Sequence, residues 1–400
     1  MNYDKRVGID FGMSVFWTHD HIYNEEDIKR FFDNIAACGV STVHWRVTGL
    51  GLAKYRSKVM KKGYEIDWDD YDCKDKLLEK RLAVAEKWRY ILKHYDPPEI
   101  AVREARRTGL KIYLWTECFD DYYPGFHSRF AEDGVCLAEA KDGRKMKGVM
   151  SYAWPEARRR RLTQIEELVS YGADGIYMDL RSHIQHVEKA REYDTYGFEK
   201  PVADEFLKRY DVDIRKTDNF DHAAWHALKG EFFTGFLREM SNLIHQNNQK
   251  LCIGAMIGKY HYFRAPALSK GHVLRFENQW RTWAKEHIVD ELVVGNGQYL
   301  WIRDPLWEHD EIPWPADTEQ AGFLVDDIYP IADRHDMKIY LWSGWVPTGK
   351  VIREPDYWAV IDGRLQAMKK ACEETRADGM LIHEADAFEN QNKYELLKKA

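Results

Sequence analysis

The segment Tyr177-Met178-Asp179-Leu180-Arg181-Ser182-His183 ends an apolar run with an acid, an arginine and a histidine at alternate positions. Alternate residues of an extended strand share a face, so these three side chains are expected together. A guanidinium beside a carboxylate favours its ionised form. That suits Asp179 to act as a nucleophile or as a stabiliser of an oxocarbenium ion rather than as a general acid. The competing reading is a buried structural Asp–Arg pair. Cutting a glycosidic bond needs a second carboxyl group. Glu384, near the end of the last strand-like segment, is the first candidate. Glu277, in Leu274-Arg275-Phe276-Glu277-Asn278-Gln279-Trp280, is the next, and Glu117 the third. Alignment of two short internal repeats sets His383, not Glu384, opposite Asp179, and a one-residue slip of register turns a side chain to the other face.

Other strand-like segments also turn polar towards their C-terminal ends. They supply Asp10, His44 and Arg46, Trp115 and Glu117, Asn296 and Gln298, and Trp342. Polar groups pointing into a core are costly unless paired or used, so a ring of them reads as a site. With 15 Trp and 23 Tyr, there are aromatic faces to stack on the C–H faces of sugar rings. Trp115, Trp342 and at least one of Trp280, Trp283 and Trp301 are expected to wall the site.

The elements that must carry these residues alternate along the chain, as in a parallel sheet wrapped by helices. Strands are expected at Val7–Val15, Thr42–Thr48, Leu110–Glu117, Gly175–Arg181, Leu251–Ile257, Glu291–Gln298, Met337–Trp342 and Met380–Asp386. Between them Ile28, Phe31, Phe32, Ile35 and Ala36 repeat at helical spacing. So do Leu162, Ile165, Leu168 and Val169, and Phe233, Phe236, Leu237, Met240 and Ile244, the last set on a long helix from His222 to Asn248. Gly39, Gly109 and Gly172 close helices just before strands. Lys-Ile-Tyr-Leu-Trp occurs at 111–115 and 338–342, and Ala-Asp-Gly at 173–175 and 377–379. The two repeats recur in the same order half a barrel apart. The expectation over residues 1–400 is a single (β/α)8 barrel with long loops after strands 2, 3 and 4, at the C-terminal ends where barrel active sites lie. Asp142-Gly143 marks a hairpin in the second of these loops.

Composition narrows the classes. The net charge of −7 lacks the basic stripe of a nucleic-acid groove. The run Arg158 to Arg161 is read as a solvated helix face. No apolar stretch reaches the length of a membrane span. Met1 to Gly8 holds no apolar signal core, and the chain is read as cytoplasmic. Cys38, Cys73, Cys118, Cys136, Cys252 and Cys372 have no metal-type spacing and read as small core residues in a reducing compartment. No phosphate-binding or dinucleotide motif is present, so no organic cofactor is expected. The expected partner is a carbohydrate.

Residues 153–300 resemble the family-ten-like glycoside hydrolase barrels. The likeness lies in Asp174-Gly175-Ile176-Tyr177-Met178-Asp179, in Tyr196-Gly197-Phe198 before Pro201-Val202, and in Trp280 to Trp283 leading into Ile288-Val289-Asp290-Glu291-Leu292. The resemblance implies a glycoside hydrolase fold and Asp179 as a catalytic carboxylate. It carries over neither a second carboxylate nor a substrate. Two other readings stay open. One is a sugar-binding barrel without catalysis. The other is a metal-dependent amidohydrolase, whose first-strand motif His19-Asp20-His21 resembles.

Overall fold

The computed structural model describes residues 3–10, 24–65, 78–123, 126–130, 134–180, 194–255, 262–266, 272–294, 324–345, 357–383 and 385–400. Eight strands close a barrel: β1 Asp4–Ile9, β2 Thr42–Arg46, β3 Lys111–Glu117, β4 Gly175–Asp179, β5 Lys250–Ala255, β6 Glu291–Val294, β7 Lys338–Trp345 and β8 Gly379–His383. Every neighbouring pair is parallel, and β8 closes on β1. The fold is a (β/α)8 barrel, and each expected strand overlaps an observed one. The eighth ends sooner than expected: Asp386 opens a short helix, Asp386–Asn390, instead of closing the strand.

Alternation divides each strand between two cores. Val7, Ile9, Val43, Trp45, Ile112, Leu114, Ile176, Met178, Leu251, Ile253, Leu292 and Val294 are buried in the large outer core, under the helices. Tyr113, Trp115, Tyr177, Cys252, Val293, Tyr340, Trp342 and Leu381 form a separate cluster inside the barrel. The cysteines Cys38, Cys118, Cys136, Cys252 and Cys372 are free and buried, while Cys73 lies outside the described residues.

Local chemistry sets the helices. Helix α1 (Glu25–Ala37) starts with a reciprocal cap between Asn24 and Asp27 and carries acids in its first turn, where the helix dipole favours them. Its apolar stripe sets Phe31 and Phe32 against Trp45 at 6.4 and 6.1 Å. After α2 (Leu78–His94), α3 (Pro97–Thr108) ends on Gly109 at φ 73°. Next come α4 (Pro155–Val169) and α5 (Lys200–Tyr210). The long helix α6 (His222–Gln246) begins on Asp221, whose carboxylate accepts from Ala223 and Ala224 N–H groups at 2.9 and 3.1 Å. The expected hairpin is present, with Leu137–Glu139 antiparallel to Lys145–Met150 and Gly143 at φ 87°.

The internal repeats have one mechanical explanation. Asp174 accepts from Ile112 N–H at 2.9 Å, and Asp378 accepts from Ile339 N–H at 2.9 Å. Each Ala-Asp-Gly therefore clamps the start of the preceding Lys-Ile-Tyr-Leu-Trp strand. Its glycine is required by close approach. A Cβ on Gly379 would lie 1.9 Å from the Asp4 carbonyl oxygen, and one on Gly175 2.5 Å from that of Lys250. Gly379→Ala is expected to lower the urea midpoint strongly, because strand β1 would have to move. An unchanged midpoint would remove the steric argument.

The basic run is not wholly a solvated face. Arg161 is 1% exposed and donates to Asp121, to Gln164 at 2.6 Å and to the Cys118 carbonyl at 3.2 Å. Four consecutive residues point outward at steps of about 100° around the helix, so at least one must face inward.

A second charged cluster ties together the loops after β3, β4 and β5. Asp194 accepts from Arg275 at 2.9 Å and lies 3.1 Å from His226, while Glu199 accepts from Glu139 N–H at 3.1 Å and from Ser151. Between them lies Lys229, with Nζ 3.4 Å from the centre of the Trp225 ring. Burial pushes its amine down to about 7, against the pull of Asp194 and Glu199. From about pH 7 to about pH 10 the unfolded chain therefore holds a proton that the folded chain has released, so stability rises with pH across that window. Urea midpoints of Lys229→Met between pH 7 and 9.5 are expected to lack this rise. A wild-type-like slope would mean that another group carries it.

Candidate active site

The inward parity of each strand builds the barrel interior in layers. Deepest, at the N-terminal end, the Arg6 guanidinium pairs with Glu291 and donates to the Tyr340 hydroxyl, and the Tyr113 hydroxyl donates to Glu291 at 2.9 Å. The guanidinium also lies 3.5 Å from the centre of the Tyr340 ring. The sequence reading did not single out this plug, although Arg6 and Glu291 share the parity of Asp10 and Val293.

His44 sits above it. It is fully buried, stacked 5.3 Å from Tyr113 and edge-on at 4.5 Å to Tyr177. Burial, then Arg6, pushes its imidazole well below the usual range. Among the candidate residues, His44 is thus a neutral ring in the packed interior.

The upper layer holds the chemistry. Arg46, at the end of β2, bridges two carboxylates: NH1 is 3.2 Å from Asp10 at the end of β1, and NH2 meets Glu117 at the end of β3. The guanidinium also lies 4.9 Å from the Trp115 ring centre. Glu117 accepts a second bond from Thr48 at 2.9 Å. Lys54, which the sequence reading passed over, donates to the other oxygen of Asp10. Burial pushes its amine down while Asp10 holds it up. Lys54 reaches the barrel because the chain turns back after β2, pairing Thr48–Gly49 with Leu52–Ala53. The Asp10 N–H donates to Asp386 at 2.9 Å, which fixes the end of β1.

Asp179 is fully buried at the end of β4. In the register Glu117 is its direct partner on β3 and Gly254 its partner on β5. Paired residues on neighbouring strands share a face and lie about 4.8 Å apart at the backbone. Two carboxyl side chains therefore enter the mouth side by side, flanked on β5 by a residue with no side chain.

Beneath them Trp115 and Trp342, the tryptophans of the two repeats, both point inward, 0% and 6% exposed. His383 lies between them, with ring centres 4.8 and 5.2 Å away. The repeat alignment was the signal for His383: it has the inward parity of β8. Trp280 and Trp283 do not wall the mouth. They are fully buried in the outer core on α7 (Trp280–Lys285), where the Trp283 indole donates to Thr234 at 2.8 Å. Nor is Glu277 on a barrel strand. It ends an antiparallel hairpin, Tyr262–Pro266 with His272–Glu277, that packs on α6. Candidates Glu384, Arg181, His183 and Asn296 lie outside the described residues, as do Gln298, Trp301 and His19 to His21.

No family model matches the chain, and no curated protein matches it. Among solved structures it is similar to the catalytic domain of a β-amylase from Paenibacillus polymyxa, at 12% identity and TM-score 0.49, covering 96% of this chain and 92% of that one. It is also similar to an endo-1,4-β-mannanase from Rhizomucor miehei, at 10% identity and TM-score 0.47, with coverage of 100% and 95%. Dispersin B is a third, at 10% identity and TM-score 0.46, with coverage of 99% and 96%. The fold assignment rests on the strand pairing, not on these likenesses.

Proposed function

We propose that the chain is a glycoside hydrolase in which Asp179 and Glu117 are the two carboxyl groups at the scissile bond. The observation that carries this reading is their in-register placement on adjacent strands at the C-terminal mouth, where barrel enzymes do their chemistry. One carboxyl group gives a proton to the glycosidic oxygen and the other supports the anomeric carbon. Trp115, Trp342 and His383 offer ring faces below, and Asp10, Arg46 and Lys54 offer hydrogen bonds to sugar hydroxyls. Arg181, His183 and Asn296 are proposed to bind the same substrate, and Glu384 is the alternative second carboxyl. The test is a panel of nitrophenyl glycopyranosides. Turnover of at least one by the wild type, lost in Asp179→Asn, supports the reading. Sugar binding without turnover would leave a binding barrel.

A further inference from the structure

We propose that the amine of Lys229 is a covalent capture site for short alkyl aldehydes, which it holds as an imine in an apolar cavity beside it.

The buried lysines differ in what their amines meet. Lys5 donates to the carbonyls of Cys38 and Leu397 at 3.2 and 2.6 Å, and Lys54 donates to Asp10. Lys229 is as buried as they are, at 6% exposed, yet among the described residues its amine has no hydrogen-bond acceptor. The Trp225 ring covers one side of it. Gly197 leaves room for it, since a Cβ there would lie 2.9 Å from Nζ. A buried ammonium without an acceptor is costly, and the neutral amine is less so. The titratable groups around it are Asp194, Glu199, His226 and Arg275. Burial and Arg275 outweigh the two acids, so near neutral pH a large share of the amine keeps its lone pair free.

Lys229 lines a cavity of about 30 Å³. One water needs roughly 10–15 Å³ of such space, so a chain of roughly one or two carbons fits and a sugar ring does not. Met150, Val202, Phe233, Leu274 and Phe276 make its wall apolar. Ser151 and Phe232, which are half-buried, mark its way out among the described residues.

The chemistry needs no further reagent. The nitrogen lone pair attacks the aldehyde carbon, a C–N bond forms, and the C=O π electrons go to oxygen. A proton passes from nitrogen to that oxygen. The hydroxyl then leaves with the remaining N–H proton as water, and C=N is left. Nothing is oxidised or reduced. Ser151 and Glu199, bonded to each other on the wall of the same cavity, carry the protons. A neutral imine capped by an alkyl group suits that wall better than an ammonium does.

The test treats the intact protein at pH 7 with acetaldehyde and cyanoborohydride, which reduces the imine to ethyl-lysine. Peptide mass spectrometry then reads each lysine. An ordinary lysine offers roughly 10³-fold less free amine at this pH. Lys229 is expected to gain its ethyl group at least ~10-fold faster than the exposed lysines, and to lose that lead in urea. With benzaldehyde, too wide for the cavity, the exposed lysines are expected to react and Lys229 is not. Ethylation of Lys229 no faster than that of the exposed lysines overturns the proposal. A lead that survives in urea, or one that benzaldehyde shares, overturns it as well, because the cavity then selects nothing.

Discussion

Asp179→Ala and Glu117→Ala are each expected to lower kcat on an activated aryl glycoside by roughly 10³-fold or more, with the circular dichroism spectrum unchanged. The two groups face one space, so removing either leaves one half of the chemistry undone. Which one donates the proton is read from the leaving group. A variant lacking the acid keeps more activity on a substrate with a good leaving group. A variant lacking the nucleophile loses activity on every substrate and regains it with azide, which takes the carboxylate's place. Backbones about 4.8 Å apart suit the short, ~5 Å carboxyl separation of retaining enzymes, so proton NMR should show retained configuration in the first product. Glu384→Ala and Glu277→Ala are the controls. Near-wild-type turnover in Glu117→Ala beside a silent Glu384→Ala would move the second carboxyl to strand β8, with the reaction class unchanged.

Glu291→Ala is expected to destabilise the fold by about 3–5 kcal/mol, the usual cost of stranding one partner of a buried ion pair. Arg6 and Glu291 are 1% and 3% exposed, and Tyr113 donates to the same carboxylate. Removing Glu291 leaves a guanidinium and a hydroxyl inside the barrel without that acceptor. The paired change Arg6→Met with Glu291→Leu should recover most of the loss, because it removes both charges and keeps the volume. Urea denaturation of the wild type, Arg6→Met, Glu291→Leu and the double variant measures the coupling. Additive effects would mean that the pair is not a unit. Turnover per folded molecule should hold in the double variant, because the plug lies at the N-terminal end of the barrel, away from Asp179.

Eight strands, their inward parity and the half-barrel repeat were legible because they are local. A period of two, a left-handed glycine at a helix end and an aspartate one residue before a strand are set within a few positions of the chain. The same parity placed Asp10, Arg46, Trp115, Glu117, Asp179 and Trp342 inward before any contact was known. Ranking the carboxylates was another matter. Glu117 stood third by sequence, and only the pairing of β3 with β4 made it the neighbour of Asp179. Register between strands 58 residues and more apart is decided by which apolar faces meet, and no window of sequence contains it. Lys54 was invisible for the same reason. Its place beside Asp10 depends on a loop doubling back, not on spacing from any motif. At least one of Trp280, Trp283 and Trp301 was expected in the mouth; the first two lie in the outer core, because a helix's rotation is chosen by its neighbours. Local chemistry thus settled what each element is and which way its residues alternate, while the packing of distant elements alone decided which acids, cations and rings share a space.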